Sequence, residues 1–569
     1  MPSPLFPEPP PPVPPTPLPE VDAAVARVKA AAPRWVQVSC RERAALLQRS
    51  MDALLAAAPQ WAELTNLNRG LPTEGEGSAE PWLTELLPTM RNLRLLVDAM
   101  AAEGQPRHGG VRMLPSGQLA VQVLPTDTID RVLFGGMTAE IWIEPGKPAT
   151  QGEVYRNKAT GRPREPKVAL VLGAGNVGSI TPTDALYKLF VDDEVVVVKT
   201  NPVNAYLAPV WEAALRPFTE AGYIAIVHGG AEVGAHLCNH RDIENIHVTG
   251  SDRTHDAIVW GTDAEEVARR KAAGDRKNPR PVSSELGCVT PVMVVPGRWS
   301  DADLRFHAKT VTGAVTNNAS FNCVAAKVLV VSRQWPQKDA FIAAVRASLA
   351  EVPSRKAYYP GAEARYDAFM HQYRDAEVLS PRGPGVVPWT LLPSVPARKG
   401  EYALCNEAFC GVLAVVELDA AGPEAFLSAA VTFANDVCWG NLSCSLIVDD
   451  ATEKAHKGAL EKAIADLRFG GIAINLFSGI IFGVISATWG AFPGNPDEDI
   501  QSGKGVVHNT YLLDHPQKSV LRAPFRIFPP PVWFAGHRGA LKAGKGLVAV
   551  EHTRSWLKVP HVAVSAVRA

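Results

Sequence analysis

The sequence predicts an α/β fold, because short apolar runs rich in β-branched residues alternate with segments of helical length. Four such runs lie between residues 168 and 248, and four more lie between residues 292 and 448. Strand, helix and strand at this spacing form parallel sheets with crossover helices, which bind ligands at the carboxyl ends of their strands. A chain of 569 residues is long enough for two or three domains.

The composition excludes several kinds of protein. The 57 Lys and Arg residues balance 58 Asp and Glu residues, which leaves no basic excess for a nucleic-acid partner. The eight cysteines form no C-x-x-C pair and are too sparse for a disulfide framework, which favours free thiols in the cytoplasm. The N-terminus lacks a basic region followed by an apolar core, so we expect no secretory signal.

The N-terminal part is predicted to be a tail followed by helices and strands. Residues 1–19 are rich in proline, and we expect an extended, mobile leader or a polyproline ligand. Residues 20–116 form a helical region in which Ser39 is placed to cap the second helix. Helical periodicity is found at 20–32, 41–58 and 81–102. Strands are expected at 118–124 and 139–144, followed by an extended arm at 145–166 rich in glycine, proline and lysine.

Residues 167–284 form the first predicted sheet domain. Its expected strands are 168–172, 194–198, 223–227 and 245–248, with helices at 184–190, 206–219 and 230–240. Residues 173–178 fit G-x-G-x-x-G, which either cradles a pyrophosphate at a helix start or forms a plain glycine turn. Pro182 is expected to delay the helix that follows. Residues 263–277 are charged and helix-prone, which predicts a solvated surface insertion.

Residues 285–492 form the second predicted sheet domain. Its expected strands are 292–295, 328–331, 412–416 and 445–448, with helices at 340–349, 425–434 and 453–467. The uncharged segment 473–492 is long enough to cross a bilayer, but its glycines and Asn475 favour a buried strand followed by an apolar loop. Residues 519–569 are predicted to be a C-terminal extension.

Cys323 is a candidate nucleophile. A turn of small and polar residues at 316–322 ends in this cysteine, and a β-rich run follows, so the thiol is expected at an exposed chain end. The alternative is a small buried hydrophobic side chain, as for most free cysteines. His236, Cys238 and His240 cluster on one short helix, but no further ligand pair follows, so no metal site is predicted.

Seven segments together resemble the aldehyde dehydrogenase superfamily, in the family's order. They are GAGNVGSITP (173–182), VVVVKTNP (195–202), HVTGSD (247–252), SSELGCVTP (283–291), NNASFNCVAAKV (317–328), NEAFCGVL (406–413) and SGKG (502–505). The resemblance implies a Rossmann-like cofactor domain, an α/β catalytic domain and a β-arm at 117–166 that joins subunits. Residues 493–518 would return to that arm, and the assembly would be a homodimer or homotetramer.

The resemblance implies three catalytic residues. Cys323 would be the nucleophile that forms a thiohemiacetal and then a thioester. Glu285 would be the general base that activates the hydrolytic water, a task suited to a carboxylate whose pKa is raised by burial. Asn176 would stabilise the oxyanion together with the backbone N–H of Cys323. A surface carboxylate and a turn-forming asparagine are the structural alternatives for the last two.

The resemblance also implies that NAD or NADP binds. Lys199 would bond the adenosine ribose, Glu407 would hold the nicotinamide ribose, and Gly230 would let the cofactor approach the backbone. A solvated lysine, a solvated loop carboxylate and a turn glycine are the alternatives. The pyrophosphate would be received by free backbone N–H groups where a strand meets a helix, at Thr249, Gly250 and Ser251.

Three positions depart from the family pattern. The usual Gly-Gln-x-Cys is Ser-Phe-Asn-Cys at 320–323, and Cys288 replaces a glycine near the site. Pro202 stands where NAD-preferring members often place a carboxylate, so NADP stays open. The sequence therefore predicts NAD(P)-dependent oxidation of an aldehyde, of hydrophobic type given the apolar loop at 477–492, to a carboxylic acid. The alternatives are a coenzyme A-acylating enzyme and a non-catalytic binding protein derived from the family.

Overall fold

Two mainly parallel sheets form the framework of the protein, as the computed structural model shows for residues 6–567. The ends of the predicted tail and extension, residues 1–5 and 568–569, lie outside the described residues. The smaller sheet has six strands, of which five are parallel to their neighbours. In spatial order its strands are Gly503–Lys504, Val282–Glu285, Asn245–Thr249, Val168–Leu172, Val195–Lys199 and Ile224–Val227.

The larger sheet has eleven strands, and its middle is parallel. In spatial order the strands are Val111–Met113, Leu119–Leu124, Thr138–Ile143, Pro516–Arg522, Gly471–Ile474, Ser443–Ile447, Pro291–Val294, Val328–Ser332, Val412–Leu418, Thr390–Leu392 and Glu377–Val378. A two-stranded ladder joins Trp489–Gly490 to Val506–Val507. The predicted α/β fold class with parallel sheets is thus confirmed.

Helices cover both sheets. The α-helices are Leu18–Trp35, Cys40–Arg69, Leu87–Ala101, Thr128–Leu133, Glu153–Ala159, Ile180–Phe190, Ala208–Ala214, Arg216–Glu220, Ala231–Asn239, Asp252–Val259, Ala264–Ala273, Asp301–Thr316, Lys338–Ala350, Ala362–Gln372, Tyr402–Cys405, Gly422–Asp436, Asp450–Ala455, Lys457–Asp466, Gly479–Val484, Ala540–Thr553 and Val559–Ala566. Trp82–Leu86 is a π-helical turn, and short 3₁₀ turns lie at Glu76–Ser78, Ala205–Leu207, Asn317–Ser320, Asp497–Asp499 and Trp556–Lys558.

The strands of the two parallel sheets lie close to their predicted positions. Val195, Val196, Val197 and Val198 are all buried, as expected of a strand covered by helices on both faces. The predicted cap Ser39 is present: its side chain accepts from the Glu42 N–H while the Glu42 carboxylate accepts from the Ser39 N–H. The charged insertion at 263–277 contains a helix without a buried residue.

The predicted arm strands extend the larger sheet of the same chain. Thr138–Ile143 pairs with Pro516–Arg522, which pairs with Gly471–Ile474 of the second domain. Strand Val111–Met113 is the exposed edge beside them. The arm itself differs from the expectation at 145–166, because the segment contains the helix Glu153–Ala159. That this region joins subunits stays a prediction.

Several further expectations need correction. Residues 7–17 contain no helix or strand, but Thr16 exchanges two hydrogen bonds with His228 (3.0 and 2.9 Å), and this part of the tail is therefore attached and not free. Pro182 does not delay its helix: it lies in the first turn of Ile180–Phe190, where its missing N–H needs no helical partner. The helix Asp301–Thr316 was not predicted, although Ser300 and Asp303 form a capping box at its start.

Segment 473–492 contains the end of a buried strand and the short helix Gly479–Val484. None of the helices in residues 6–567 combines the length and the apolar character that crossing a bilayer requires. The loop after the strand is therefore partly helical, in contrast to the expectation of an irregular segment.

The C-terminal extension is an integral layer of the fold. Helix Ala540–Thr553 packs on helix Leu87–Ala101, and Glu551 accepts from Arg91 Nη1 and Arg94 Nε at 2.6 Å each. Arg91 also forms a paired contact with Asp130, at 3.0 and 2.5 Å. Arg91, Asp130 and Glu551 are at most 1% exposed, so each charge depends on its partners for compensation.

Removing one member of this buried group should be costly. We expect Glu551→Ala to lower the free energy of unfolding by about 3–5 kcal/mol, because Arg91 and Arg94 lose a buried counter-charge. The matched control is Asp466→Ala, which breaks the exposed pair with Lys462 and should cost about 0–1 kcal/mol. Chemical denaturation of both variants measures the difference, and equal losses would contradict the assigned role of Glu551.

Candidate functional site

A cavity of about 1010 Å³ opens where the strands of the smaller sheet end and the second domain begins. This is the carboxyl edge of the parallel strands, where ligands of such sheets bind. All nine residues selected from the sequence line this one cavity: Asn176, Lys199, Gly230, Thr249, Gly250, Ser251, Glu285, Cys323 and Glu407. The structure therefore brings together residues that span more than two hundred positions of the chain.

Cys323 follows a loop with an unusual backbone. Asn318, Ala319 and Ser320 have φ of 53°, 54° and 68°, in the left-handed region that non-glycine residues rarely adopt. The Asn318 side-chain amide donates to the Phe321 carbonyl at 3.1 Å and to the Asn176 carbonyl at 3.1 Å. These bonds hold the loop so that the half-buried Cys323 borders the cavity.

Lys327 closes the same loop from the other side. Its buried ammonium donates to the carbonyls of Asn322, Cys323 and Ala325 at 3.1, 3.3 and 3.0 Å. It also forms an ion pair with Glu407 at 3.0 Å. Sequence reasoning missed Lys327, although a single lysine within the apolar run VAAKVLVV was a usable signal.

Glu285 ends strand Val282–Glu285 and lies against the Cys323 thiol. Burial raises the pKa of Glu285 to about 8; the neighbouring Cys323 thiol opposes the rise, whereas the charges of Asp184 and Glu407 add to it. Burial, followed by the Glu285 charge, raises the pKa of Cys323 well above its usual range. At neutral pH both groups are therefore mostly protonated, and Glu285 becomes available as a base as the pH rises through about 8.

Asn176 is held at the turn between strand Val168–Leu172 and helix Ile180–Phe190. Its side-chain amide donates to the Phe321 carbonyl at 3.0 Å, which leaves one of the two amide protons for another acceptor. Its own carbonyl accepts from Arg69, Asn318 and the Tyr358 hydroxyl, at 3.0, 3.1 and 3.0 Å. The amide thus reaches the Cys323 loop from the neighbouring domain.

The Glu407 carboxylate lies close to Gly287. A Cβ at Gly287 would lie 2.0 Å from that carboxylate, so a larger residue there would displace Glu407 from its present position. Burial raises the pKa of Glu407, and the ion pair with Lys327 opposes this rise. The Cys288 side chain is fully buried, and its sulfur accepts from the Thr290 N–H at 3.3 Å, which places this departure from the family pattern outside the cavity wall.

The remaining selected residues surround open space. Lys199 ends strand Val195–Lys199, and burial lowers its pKa. Ser251 caps helix Asp252–Val259, with its hydroxyl accepting from Thr254 N–H at 3.2 Å. A Cβ at Gly230 would meet no atom within 4 Å, and one at Gly250 would meet only ordinary contacts at 3.8 and 4.0 Å. The cleft therefore has room for a dinucleotide against the backbone at both glycines.

The histidines of helix Ala231–Asn239 and its cap have another partner. His236 Nε2 lies 2.6 Å from Asp22 Oδ1 on helix Leu18–Trp35, and the rings of His236 and His240 are 5.9 Å apart. Cys238 is buried. Within residues 6–567, no cluster of three or more His, Cys, Asp or Glu side chains is arranged to hold a metal ion.

The sequence matches known proteins over most of its length. A model of the aldehyde dehydrogenase family matches residues 195–364. The 2-hydroxymuconic semialdehyde dehydrogenase of Pseudomonas sp. (strain CF600) is 27% identical over 471 residues, which is 78% of this chain and 82% of that protein. A putative aldehyde dehydrogenase of Staphylococcus aureus (strain MSSA476) is 33% identical over 132 residues, and this chain spans only 24% of that relative.

The fold matches solved structures over about nine tenths of each chain. Aldehyde dehydrogenase of Mycobacterium tuberculosis complexed with NAD+ has a TM-score of 0.61 at 18% identity, covering 90% of this chain and 91% of that one. NADP-dependent glyceraldehyde-3-phosphate dehydrogenase of Bacillus halodurans C-125, complexed with NADP, has a TM-score of 0.60 at 18% identity, covering 90% and 92%. At this identity the similarity concerns the fold.

The matched family model, the relative aligned over most of both chains and the shared fold agree with the seven motifs found in the sequence. The resemblance stated from those motifs is thereby confirmed. Residues 195–364 are thus similar to the aldehyde dehydrogenase family, and the chain has the fold of aldehyde dehydrogenases over about nine tenths of its length.

Proposed function

We propose that this protein oxidises an aldehyde to a carboxylic acid with NAD or NADP, through a thiohemiacetal and a thioester on Cys323. The observation that carries the proposal is the contact between the Cys323 thiol and the buried Glu285 carboxyl group in the cavity that the other selected residues line. A thiol beside a base is the arrangement required for nucleophilic catalysis. The bound nicotinamide ring would accept the hydride.

Each residue of the chain has a distinct task in this proposal. Glu285 takes the proton of the Cys323 thiol as sulfur adds to the aldehyde carbon and releases this proton to water in the cavity. The carboxylate then takes a proton from the water that attacks the thioester. The free amide proton of Asn176 and the backbone N–H of Cys323 face the developing oxyanion. Lys327 holds the carbonyl of Cys323 and so fixes the direction of the thiol.

The cofactor would lie along the carboxyl edge of the smaller sheet. Lys199 and Glu407 would bond the two riboses, and the pyrophosphate would lie at the start of helix Asp252–Val259, beside Thr249, Gly250 and Ser251. Gly230 would permit close approach of the cofactor to the backbone. The NAD+ and NADP complexes of proteins with this fold support the binding of a dinucleotide in this cleft.

Aromatic side chains in the cavity lining, among them Tyr359, Phe409 and Trp439, support a hydrophobic aldehyde, and further apolar side chains pack behind Cys323. Val324 and Phe477 are buried, and a Cβ at Gly479 would contact both the Phe477 ring and Val324 Cγ2. The Phe477 ring lies 5.9 Å from the ring of Trp533 in the C-terminal extension. Transfer of an aliphatic or aromatic substrate to such a surface is favourable, at about 25 cal/mol per Å² buried.

Two variants test the chemistry. Cys323→Ala should abolish aldehyde-dependent formation of NAD(P)H, because no thiohemiacetal can form. Glu285→Gln should slow turnover by about 10²–10⁴-fold, since the attacking water then lacks its base.

Product analysis with and without coenzyme A separates hydrolysis of the thioester from acyl transfer to the thiol of coenzyme A. Full NAD(P)H formation by Cys323→Ala would refute the proposal, and calorimetry without binding of either dinucleotide would favour a non-catalytic protein.

Hydrolysis of the acyl-enzyme should depend on pH through Glu285. The base acts in its deprotonated form, and its pKa is raised to about 8, so the rate should rise with pH through about 8 and fall below it. The measurement is the decay of acetylated Cys323 between pH 6 and 10. The Glu285→Gln variant is the control and should lack this rise. A rate that is flat from pH 7 to 9 in the unmodified protein contradicts the assignment.

Cofactor choice can be tested at Pro202. This exposed residue stands three positions after Lys199, and a carboxylate there should repel a 2′-phosphate. We expect Pro202→Glu to weaken NADP binding by roughly tenfold, equivalent to about 1.4 kcal/mol, with NAD binding retained. Pro163→Glu, at an exposed proline outside the cavity, is the control. Isothermal calorimetry measures both; equal affinities before and after Pro202→Glu would show that the 2′-phosphate binds elsewhere.

A further inference from the structure

A buried ion pair holds the turn that carries Asn176. Arg69 Nη2 pairs with Glu85 Oε1 and also donates to the Asn176 backbone carbonyl at 3.0 Å. The Gly178 N–H donates to the same Glu85 oxygen at 2.9 Å. The carbonyl of Asn176 and the N–H of Gly178 are thus bound by the two opposite members of one ion pair.

The surrounding structure fixes both members of the Arg69–Glu85 pair. Arg69 is the last residue of helix Cys40–Arg69, whose Trp61 and Thr65 side chains donate to Glu85 Oε2 at 2.6 and 3.0 Å. The four-residue spacing places Trp61, Thr65 and Arg69 on one face of that helix. Glu85 lies in a π-helical turn, a rare geometry that is frequent at functional sites. Both oxygens of Glu85 have donors, which leaves the carboxylate little freedom to move.

The Asn176 carbonyl also meets the loop that leads to Cys323. The Tyr358 hydroxyl lies 3.0 Å from this carbonyl and 2.9 Å from Asn318 Oδ1, and the Asn318 amide donates to the same carbonyl at 3.1 Å. The Asn176 side-chain amide donates to the Phe321 carbonyl at 3.0 Å. Because the backbone and the side chain of Asn176 are both held, its second amide proton has a fixed direction.

An ion pair at this place is a poor device for stability alone. Arg69 and Glu85 are at most 1% exposed, so both charges carry a large desolvation penalty. Apolar side chains of similar volume often stabilise a core equally well, whereas a paired guanidinium and carboxylate fix one geometry. The packing is close as well, because a Cβ at Gly178 would lie 2.7 Å from Glu85 Oε2 and 2.6 Å from Leu207 Cδ1.

We propose that Arg69, Glu85 and Tyr358 are positioning residues that hold the Asn176 side-chain amide toward the oxyanion formed at Cys323. The inference rests on the proposed function, because Asn176 has its assigned task only there. It gives the N-terminal helices a role in catalysis, although they contribute no residue to the cavity lining. None of the three positioning residues borders the cavity, so each acts through Asn176.

The expected effect concerns reactions in which a carbonyl oxygen becomes negative. Loss of a donor to that oxygen costs about 10²–10³-fold in rate, and a displacement of about 1 Å can cost about 10²-fold. Removing one of the groups that hold the Asn176 carbonyl should displace the amide by less. The expected loss for such a variant is therefore about tenfold.

The test compares two reactions of the Cys323 thiol that need neither aldehyde nor cofactor. With 4-nitrophenyl acetate the sulfur bonds to the carbonyl carbon as Glu285 takes the thiol proton, and the C–O bond to nitrophenolate breaks after an oxyanion has formed. With iodoacetamide the sulfur displaces iodide from a saturated carbon, and no oxyanion forms. Nitrophenolate absorbance measures the first rate, and the intact protein mass measures the second.

The two reactions should respond differently to the variants. Tyr358→Phe should slow acetylation by about tenfold, and Arg69→Lys should slow it by about 10–100-fold, because a lysine cannot bind Glu85 and the Asn176 carbonyl in the same geometry. Alkylation by iodoacetamide should stay unchanged in both variants, since the thiol itself is not displaced.

Arg43→Lys is the matched control. Arg43 lies on the same helix, is as buried as Arg69 and pairs with the buried Asp193. Its further partners, among them the Tyr155 hydroxyl, lie outside the cavity lining. The control should therefore lower the free energy of unfolding as Arg69→Lys does, with both rates of the Cys323 thiol unchanged.

A double-mutant cycle separates positioning from a general structural role. Asn176→Ala removes the amide and should slow acetylation by about 10²–10³-fold. In that background Tyr358→Phe should have no further effect, because the group that it orients is absent. A hydroxyl that served only the stability of the fold would have the same effect in both backgrounds.

The outcomes are distinct. The inference is overturned, and the proposed function stands, if Tyr358→Phe and Arg69→Lys acetylate like Arg43→Lys, if acetylation and alkylation slow together, or if the loss persists beside Asn176→Ala. Should Arg69→Lys fail to fold, Tyr358→Phe decides between these results. If Asn176→Ala acetylates at the unmodified rate, the inference and the oxyanion role of Asn176 in the proposed function both fail.

Discussion

The position of the Cys323 sulfur depends on a strained loop that is anchored to a second domain. Three successive non-glycine residues at 318–320 adopt left-handed conformations, each costing on the order of 1–3 kcal/mol. Such a strained backbone conformation is stable only where contacts with the surrounding structure hold it in place. Here the Asn318 side chain spans the loop. The Asn176 backbone carbonyl accepts hydrogen bonds from Arg69, Asn318 and Tyr358. The thiol and the oxyanion amide are thus fixed by the same few hydrogen bonds.

Two glutamates border the cavity, and their partners separate their tasks. Glu407 forms an ion pair with the buried Lys327, which opposes the rise that burial causes in the pKa of Glu407. Glu285 has no cationic partner among the described residues in contact with it, and its carboxyl group lies beside the Cys323 thiol. A carboxyl group in such surroundings titrates near neutral pH and can exchange protons during a reaction. The paired carboxylate is suited to binding, and the unpaired one to chemistry.

The sequence predicts the two sheets well because their strands are continuous apolar runs buried on both faces, such as Val195–Val198. It also predicts the cavity residues, since each stands at the end of a strand or in a local motif. The same reasoning missed Lys327, because its ion pair with Glu407 joins residues eighty positions apart in the chain. A lysine within a buried apolar run was the available signal.

The C-terminal region was the least predictable part, and the reason is again distance along the chain. Glycines and scattered basic residues in 519–569 give no strong periodicity, and the helix Ala540–Thr553 is stabilised by charges that pair with Arg91 and Arg94. Local pattern cannot reveal a partner that lies 460 positions away. The same is true of Thr16, which anchors the proline segment through His228.

The late position of Glu551 has a consequence for biosynthesis. Asp130 follows Arg91 closely in the chain, but at about 5–20 residues per second the 460 positions before Glu551 take roughly 20–90 s to translate. During that interval Arg91 and Arg94 lack the carboxylate that they share in the folded protein, and their complete burial carries a larger desolvation penalty. In a nascent chain, the final packing around Arg91 and Arg94 should therefore follow synthesis of the segment that contains Glu551.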